Sequence, residues 1–178
     1  MIQKCNILGV AKVFFDEPTR QHYLIEVSKK ANLAHTSTKS HIITLKKNGL
    51  ITETTERKGK RNFPIYQANL NSKKYRDIKK IYNQLAIQQS GIIDHLKEKT
   101  APRTIILFGS YRKGEDTEES DIDLFIEAKK ESINLTKYEK TLGKKIQLHF
   151  SEDFKRCPKE LKNNIANGIV LQGYLEAF

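Results

Sequence analysis

The chain is poor in the residues that staple, break or anchor a protein. Its 178 residues include only 4 Pro and 9 Gly, and no internal repeat or low-complexity tract is present. With an ordinary apolar content, that scarcity predicts a globular, largely regular protein, long enough for one large or two small domains. The 2 cysteines, Cys5 and Cys157, stand far apart with no Cys or His at ligand spacing. They read as free thiols in a reducing cytoplasm rather than a disulfide or a zinc site. No apolar run approaches the length that spans a bilayer, which argues against a membrane partner. The opening residues, Met1-Ile2-Gln3-Lys4-Cys5-Asn6, lack the hydrophobic region of a signal peptide. The expected location is therefore cytoplasmic.

What is abundant is positive charge, and it is confined to one part of the chain. Residues 1–102 hold 19 Lys and Arg against 8 Asp and Glu, whereas residues 103–178 hold 13 of each, so the whole net charge of +11 lies in the first part. A basic segment of this kind suggests a polyanionic partner, most simply nucleic acid. A merely soluble, lysine-rich surface is the competing explanation.

In chain order, Ile7 to Phe15 carries apolar residues at 7, 8, 10, 11, 13, 14 and 15, the density of a well-buried helix, and Asp16-Glu17-Pro18-Thr19 ends it. Tyr23 to Ala31 reads as a second short helix and Asn32-Leu33-Ala34 as a tight turn. A third helix runs from His35 to about Asn48, with Gly49 as its stop. On it Thr38, Ile42 and Leu45 share one stripe, and Ser37, Ser40 and Thr44 another. Ile51–Glu56 and Asn62–Ala68 read as strands around a basic hairpin tip, Arg57-Lys58-Gly59-Lys60-Arg61.

This order resembles a winged helix-turn-helix domain of the MarR/ArsR type. The likeness rests on Leu24 to Lys30, Ser37 to Leu45, Asn48-Gly49-Leu50-Ile51 and the basic tip. It implies a DNA-binding face formed by Ser37, Lys39, Ser40 and Thr44 on the third helix and by Arg57, Lys58, Lys60 and Arg61 on the wing. A winged helix used for protein docking is the alternative.

From Asn71 to Thr100 there is no Pro, and Tyr75, Ile78, Tyr82, Leu85, Ile92 and Leu96 follow heptad spacing, with Gln89 in the skipped place. Ser90-Gly91 weakens the helix and is a candidate break. The stretch reads either as a connector or as a dimerisation helix, which predicts a homodimer through residues 75–96.

The most informative stretch comes next. Arg103-Thr104-Ile105-Ile106-Leu107-Phe108 is an apolar run of strand length, followed by Gly109-Ser110. After a polar decade containing Gly114 comes Asp121-Ile122-Asp123-Leu124-Phe125-Ile126, which alternates like a strand. Alternation puts both aspartates on one face and Ile122 and Leu124 on the other. Two carboxylates so placed form a hard oxygen site suited to Mg²⁺. A Gly-Ser turn opening a helix offers N–H groups and a hydroxyl to phosphate. Further on, Lys129–Leu142 is a polar, weakly helical stretch stopped by Gly143. Lys145–Phe150 is a strand, and Glu152–Gly168 is helical with Pro158 near its start or at a joint.

Gly109, Ser110, Gly114, Ser120, Asp121, Asp123 and Leu124, in this order, resemble the nucleotidyltransferase superfamily of DNA polymerase beta, kanamycin nucleotidyltransferase and the minimal nucleotidyltransferases of prokaryotes. The likeness runs from about Arg103 to the C-terminus, where Asn167-Gly168-Ile169-Val170-Leu171 resembles a common closing segment. It implies nucleotide binding by Gly109 and Ser110, metal ligation and catalysis by Asp121 and Asp123, Mg²⁺ as cofactor, and a nucleoside triphosphate, most simply ATP, as ligand or substrate. In that family a third carboxylate on a later strand completes the metal set. Here the strand reads Lys145-Ile146-Gln147-Leu148-His149-Phe150, with Gln147 at that place. A neutral amide neither neutralises charge nor accepts a proton at neutral pH. His149, on the same strand face, is a candidate base or ligand, and Glu152 a weaker one.

The fold expected is therefore α+β: a winged helix-turn-helix over 1–70, a long connector helix over 71–101, and a nucleotidyltransferase-like α/β domain with a mixed sheet over 102–178. Two functions compete. One is an enzyme that transfers a nucleotide, most simply AMP, to a protein or small-molecule hydroxyl, as minimal nucleotidyltransferases do when they act as antitoxins to a HEPN-type partner. The other is a transcriptional regulator whose degenerate nucleotidyltransferase domain senses nucleotide or docks a partner.

Overall fold

The first helix, α1 (Asn6–Asp16), turns Val10, Val13, Phe14 and Phe15 inward, all buried. The structure, a computed structural model, describes residues 5–176. The first four residues, read above as lacking a hydrophobic leader, lie outside them. The chain divides into two units, Met1–Asp77 and Ile78–Phe178.

The first unit continues with β1 (His22–Tyr23), α2 (Leu24–Ala31), α3 (His35–Lys47), β2 (Ile51–Lys58) and β3 (Arg61–Ala68). Its antiparallel sheet has the order β1-β3-β2. The backbone N–H of Tyr23 donates to the Glu26 carboxylate at 3.0 Å, which caps α2, and Asn32 ends it in the left-handed region at φ 51°. Thr38, Ile42 and Leu45 form the buried stripe of α3. Two features differ from the sequence reading. His22-Tyr23 pairs with Ile65-Tyr66 as a third strand, too short to leave a periodic signal. The five-residue basic tip is a turn of only Gly59-Lys60, because Gly59 adopts φ 61° and lets Lys58 pair directly with Arg61.

The connector expected over 71–101 is two helices, α4 (Lys73–Ser90) and α5 (Ile92–Thr100), broken at the Ser90-Gly91 pair that the sequence offers as a candidate break. Gly91 sits at φ 77°, and the Ser90 hydroxyl donates to the Ile87 carbonyl at 2.7 Å while accepting from the Ile92 N–H at 3.2 Å. Nor does the segment form a body of its own. Tyr75 is buried and donates its hydroxyl to the Phe14 carbonyl at 2.7 Å in the first unit. Ile92 and Leu96 belong to the core of the second. The heptad seam is thus divided, leaving Ile78, Tyr82 and Leu85 half-buried and Gln89 exposed. The buried stripe of α4 is instead Tyr75, Lys79, Asn83 and Ile87, at spacing four.

The second unit adds β4 (Thr104–Phe108), α6 (Gly109–Lys113), β5 (Ile122–Glu127), α7 (Thr136–Leu142), β6 (Ile146–Ser151), a turn of 3₁₀ helix (Phe154–Arg156), α8 (Lys159–Ala166) and β7 (Ile169–Gly173). The sheet order is β6-β5-β4-β7. β5 and β6 are parallel and the other pairs antiparallel, so the sheet is mixed. One face carries Ile105, Leu107, Ile122, Leu124 and Ile126 against Ile87, Ile92, Leu96 and Tyr138. The other carries Ile106, Phe108 and Phe125 against Phe154, Cys157 and Ile165. Both cysteines are free thiols. The helix expected over 129–142 is shorter because Asn134 accepts the Thr136 N–H at 3.0 Å and starts it there. The closing segment, unassigned from sequence, is the edge strand β7 beside β4. Among the described residues, no helix is long and apolar enough to cross a membrane.

Candidate nucleotide and metal site

The sheet brings the end of β4 and the starts of β5 and β6 to one edge of the second unit. Phe108, last in β4, pairs with Asp123, and Asp123 pairs in parallel register with Gln147. Strand alternation then puts Asp121, Asp123, Gln147 and His149 on the face that carries Phe108 and Phe125.

Gly109 follows Phe108 at φ 75°, and a Cβ built there would lie 2.4 Å from Asp123 Oδ2. A side chain there would displace the Asp123 carboxylate and strain the backbone at this positive φ. Glycine suits the position because of its left-handed φ, and its missing side chain leaves room for the Asp123 carboxylate beneath the turn. Ser110 follows in the first turn of α6, and Gly114, at φ 70°, closes that short helix. The turn expected to hold phosphates and the carboxylates expected to hold metal are therefore adjacent in space.

Each aspartate has a neutral or weakly basic neighbour from β6. The Gln147 amide donates to Asp121 Oδ2. His149 Nε2 lies 3.1 Å from Asp123 Oδ1, with both side chains partly exposed. The His149 ring also packs on Phe108, with centroids 5.1 Å apart. Among the described residues, no group of three or more His, Cys, Asp and Glu gathers as a metal cage. The donor set still fits Mg²⁺, which commonly takes one or two carboxylates and completes its shell with water and substrate phosphate. Gln147 would present its amide oxygen to such an ion only after turning its NH₂ away from Asp121. An open polar cleft of about 420 Å³, lined in part by Ser120, Thr136, Glu139 and Lys145, borders Asp121.

On the first unit, Lys39, Ser40 and Thr44 are exposed on α3, and Ser37 is half-buried near His41. Arg57, Lys58, Lys60 and Arg61 are all exposed along β2, the turn and β3. Some of this face is already engaged: Thr44 donates to the Ser40 carbonyl at 3.2 Å, and Lys58 lies 4.6 Å from the Tyr23 ring centroid. Sequence reading missed Ile43, 53% exposed between Ser40 and Thr44. Its signal was there, an apolar residue off the Thr38-Ile42-Leu45 stripe. Also missed was a buried polar cluster of Lys79, Asn83, Asp116 and Lys144 beneath the loop leading to Asp121.

Comparison with known proteins bears on the second unit. A solved structure described as a possible transcriptional regulator from Methanosarcina mazei Go1 has a TM-score of 0.38 and 23% identity over 53% of this chain and 78% of that one, a likeness too distant to carry an argument. A curated protein of Methanocaldococcus jannaschii, named "Putative protein adenylyltransferase MJ1379", is 46% identical over 61 residues, covering 30% of this chain and 61% of that protein. Less than two thirds of that relative is therefore spanned. Residues 90–175 match the family described as Polymerase beta, Nucleotidyltransferase, and this match together with the relative supports a nucleotidyltransferase domain in the second unit.

Proposed function

We propose that the second unit binds Mg²⁺ with a nucleoside triphosphate, most simply ATP, and serves nucleotidyl transfer to a hydroxyl of a protein or small molecule. The observation that carries this reading is the passage of Gly109 over Asp123, which joins a phosphate-type turn to a pair of metal-type carboxylates. In the proposed arrangement Gly109 and Ser110 hold the beta and gamma phosphates, and Asp121 and Asp123 hold the metal. A bound divalent ion would screen the phosphate charge and stabilise the leaving pyrophosphate. The acceptor oxygen forms a bond to the alpha phosphorus as the bond to the bridging oxygen of pyrophosphate breaks, and the acceptor proton must leave. Gln147 cannot take that proton, so transfer is expected to be slow. His149, against Asp123, is a candidate base.

The first unit, in this proposal, is a winged helix-turn-helix that tethers the domain to double-stranded DNA. Its support is the element order, the exposed polar face of α3 and the exposed basic hairpin. Ile43 adds an apolar group of the kind that meets a thymine methyl. Replacing Arg57, Lys58, Lys60 and Arg61 together by Ala should weaken DNA binding and flatten its salt dependence, by roughly 0.9 in log–log slope for each phosphate no longer neutralised. Fluorescence anisotropy across a salt series measures both. No affinity of the wild-type chain at low salt would make this unit a protein-docking module instead.

The proposal extends to a homodimer on α4, through Ile78, Tyr82 and Leu85 alone, because Tyr75, Ile92 and Leu96 are buried within their own units. Ile78→Lys with Leu85→Lys should yield monomers in sedimentation. A wild-type chain that sediments as a monomer at tens of micromolar, a rough bound on ordinary dimer strength, would end the dimer idea.

A second reading has its own observation. The Gln147 amide donates to Asp121, which suits a regulator that senses nucleotide without turning it over. A HEPN-type partner modified on a hydroxyl is the acceptor that the likeness to minimal nucleotidyltransferases brings forward. Incubating the chain and a candidate partner with alpha-labelled ATP separates the two readings.

A further inference from the structure

The loop between α6 and β5 delivers Asp121 to the site, and buried charge holds it from beneath. Asp116, at its start, is 2% exposed. Its Oδ2 lies 3.2 Å from Lys79 Nζ and 3.3 Å from Lys144 Nζ, and its Oδ1 accepts from Asn83 Nδ2 at 2.8 Å. Each of the three donors also grips a backbone carbonyl: Lys79 that of Asp116, Lys144 that of Thr117, and Asn83 that of Tyr111, the last at 2.8 Å. The clamp therefore holds the chain from Tyr111, just past the Gly109-Ser110 turn, to Thr117. From there Thr117 and Ser120 bond to each other, with the Thr117 N–H donating to Ser120 Oγ at 2.9 Å and the Ser120 N–H to the Thr117 carbonyl at 3.1 Å. Lys144 also stands next to Lys145, whose carbonyl accepts the Ile122 N–H at 2.8 Å.

Stability alone is a poor reason for such a cluster. Buried ion pairs of this sort are commonly replaced by apolar residues without penalty, whereas removing one partner is costly. Here two ammonium groups surround one carboxylate, and burial pushes Lys79 below its ordinary value against the opposing pull of Asp116. What the charges supply is direction, since two ammonium groups and one amide converge on one carboxylate and on the carbonyls of Tyr111, Asp116 and Thr117.

We propose that Asp116, clamped by Lys79, Asn83 and Lys144, is a positioning residue of the nucleotide site, fixing the spacing between the Gly109-Ser110 turn and Asp121. This rests on the nucleotide-binding reading above. Asp116→Asn keeps the shape and deprives Lys79 and Lys144 of the carboxylate between them, so it lowers the melting temperature. Asp116→Asn with Lys79→Met removes one of those lysines and should recover much of the stability without rebuilding the clamp. The test titrates Mg·ATP calorimetrically into the full-length wild type and both variants, well below their melting temperatures. It adds amide hydrogen exchange at Gly109–Tyr111 and Ser120–Ile122 in nucleotide-free protein. Positioning predicts that the double variant regains stability, yet binds Mg·ATP about tenfold to a hundredfold more weakly, the order that loss of a group orienting a metal site's ligands costs. It also predicts faster exchange at both segments. Affinity and exchange that recover together with the melting temperature would overturn the proposal. If the wild type binds no Mg·ATP, the functional reading fails, and exchange alone then decides: faster exchange upholds the clamp and unchanged exchange refutes it.

Discussion

Asp121→Asn combined with Asp123→Asn is expected to abolish all thermal stabilisation by Mg·ATP while raising the melting temperature of the metal-free protein. The two aspartates lie on one strand face, with Asp123 directly beneath Gly109. As carboxylates they repel one another, and a divalent cation relieves that repulsion. As amides they keep nearly the same shape and lose both the repulsion and the metal. At a ligand concentration of about 100 Kd, binding adds roughly 2.7 kcal/mol, which raises the melting temperature of a domain of this size by roughly 5–10 °C or more. The wild type should show that shift and the double variant none. Differential scanning fluorimetry with Mg²⁺ alone, ATP alone and both together measures it. An undiminished shift in the variant would place the nucleotide elsewhere on the chain.

The second large effect is a gain. Gln147→Asp should tighten Mg²⁺ binding at least about tenfold, since a third carboxylate adds a full charge and an anionic oxygen to the ion's shell, and 1.4 kcal/mol suffices for that factor. Gln147 is paired with Asp123 across β5 and β6 and hydrogen-bonded to Asp121, so a shorter carboxylate there faces the same ion. Without metal the variant should be less stable than wild type, because three carboxylates then share one face and the amide donor to Asp121 is gone. Restored labelling of an acceptor from alpha-labelled ATP would follow if Gln147 is what slows transfer. Efficient transfer by the wild type would instead show that the third carboxylate lies elsewhere than at Gln147, or that His149 or Glu152 takes its place.

Much of this arrangement is legible in the sequence because it is local. The alternation of Asp121-Ile122-Asp123-Leu124 separates the aspartates from the core face, and the stripe Thr38-Ile42-Leu45 picks out the buried side of α3. What is hidden depends on pairing and on buried polar groups. A two-residue strand such as His22-Tyr23 has no period to detect, and β7 is defined only by its neighbour β4. The basic tip reads as five residues because composition shows that residues 57–61 are charged, but not that Gly59 turns the chain in two residues. On α4 an apolar heptad competes with a stripe at spacing four that contains Lys79 and Asn83. Hydrophobic pattern favours the first, and only the position of Asp116, far along the chain, makes the second the buried one. The close approach of Gly109 to Asp123 is equally hidden, since it follows from the pairing of β4 with β5.

Gly109-Ser110 and Asp121-x-Asp123 are proposed to form one site for a metal-bound nucleoside triphosphate. Isothermal titration of the wild-type chain with each common nucleoside triphosphate, in Mg²⁺ and again in excess chelator, tests it most directly. Saturable heat from at least one triphosphate, ATP first, is expected, and it should disappear when Mg²⁺ is removed. No heat from any triphosphate in Mg²⁺, or heat that persists unchanged in chelator, would contradict it and leave the two aspartates without the role assigned to them.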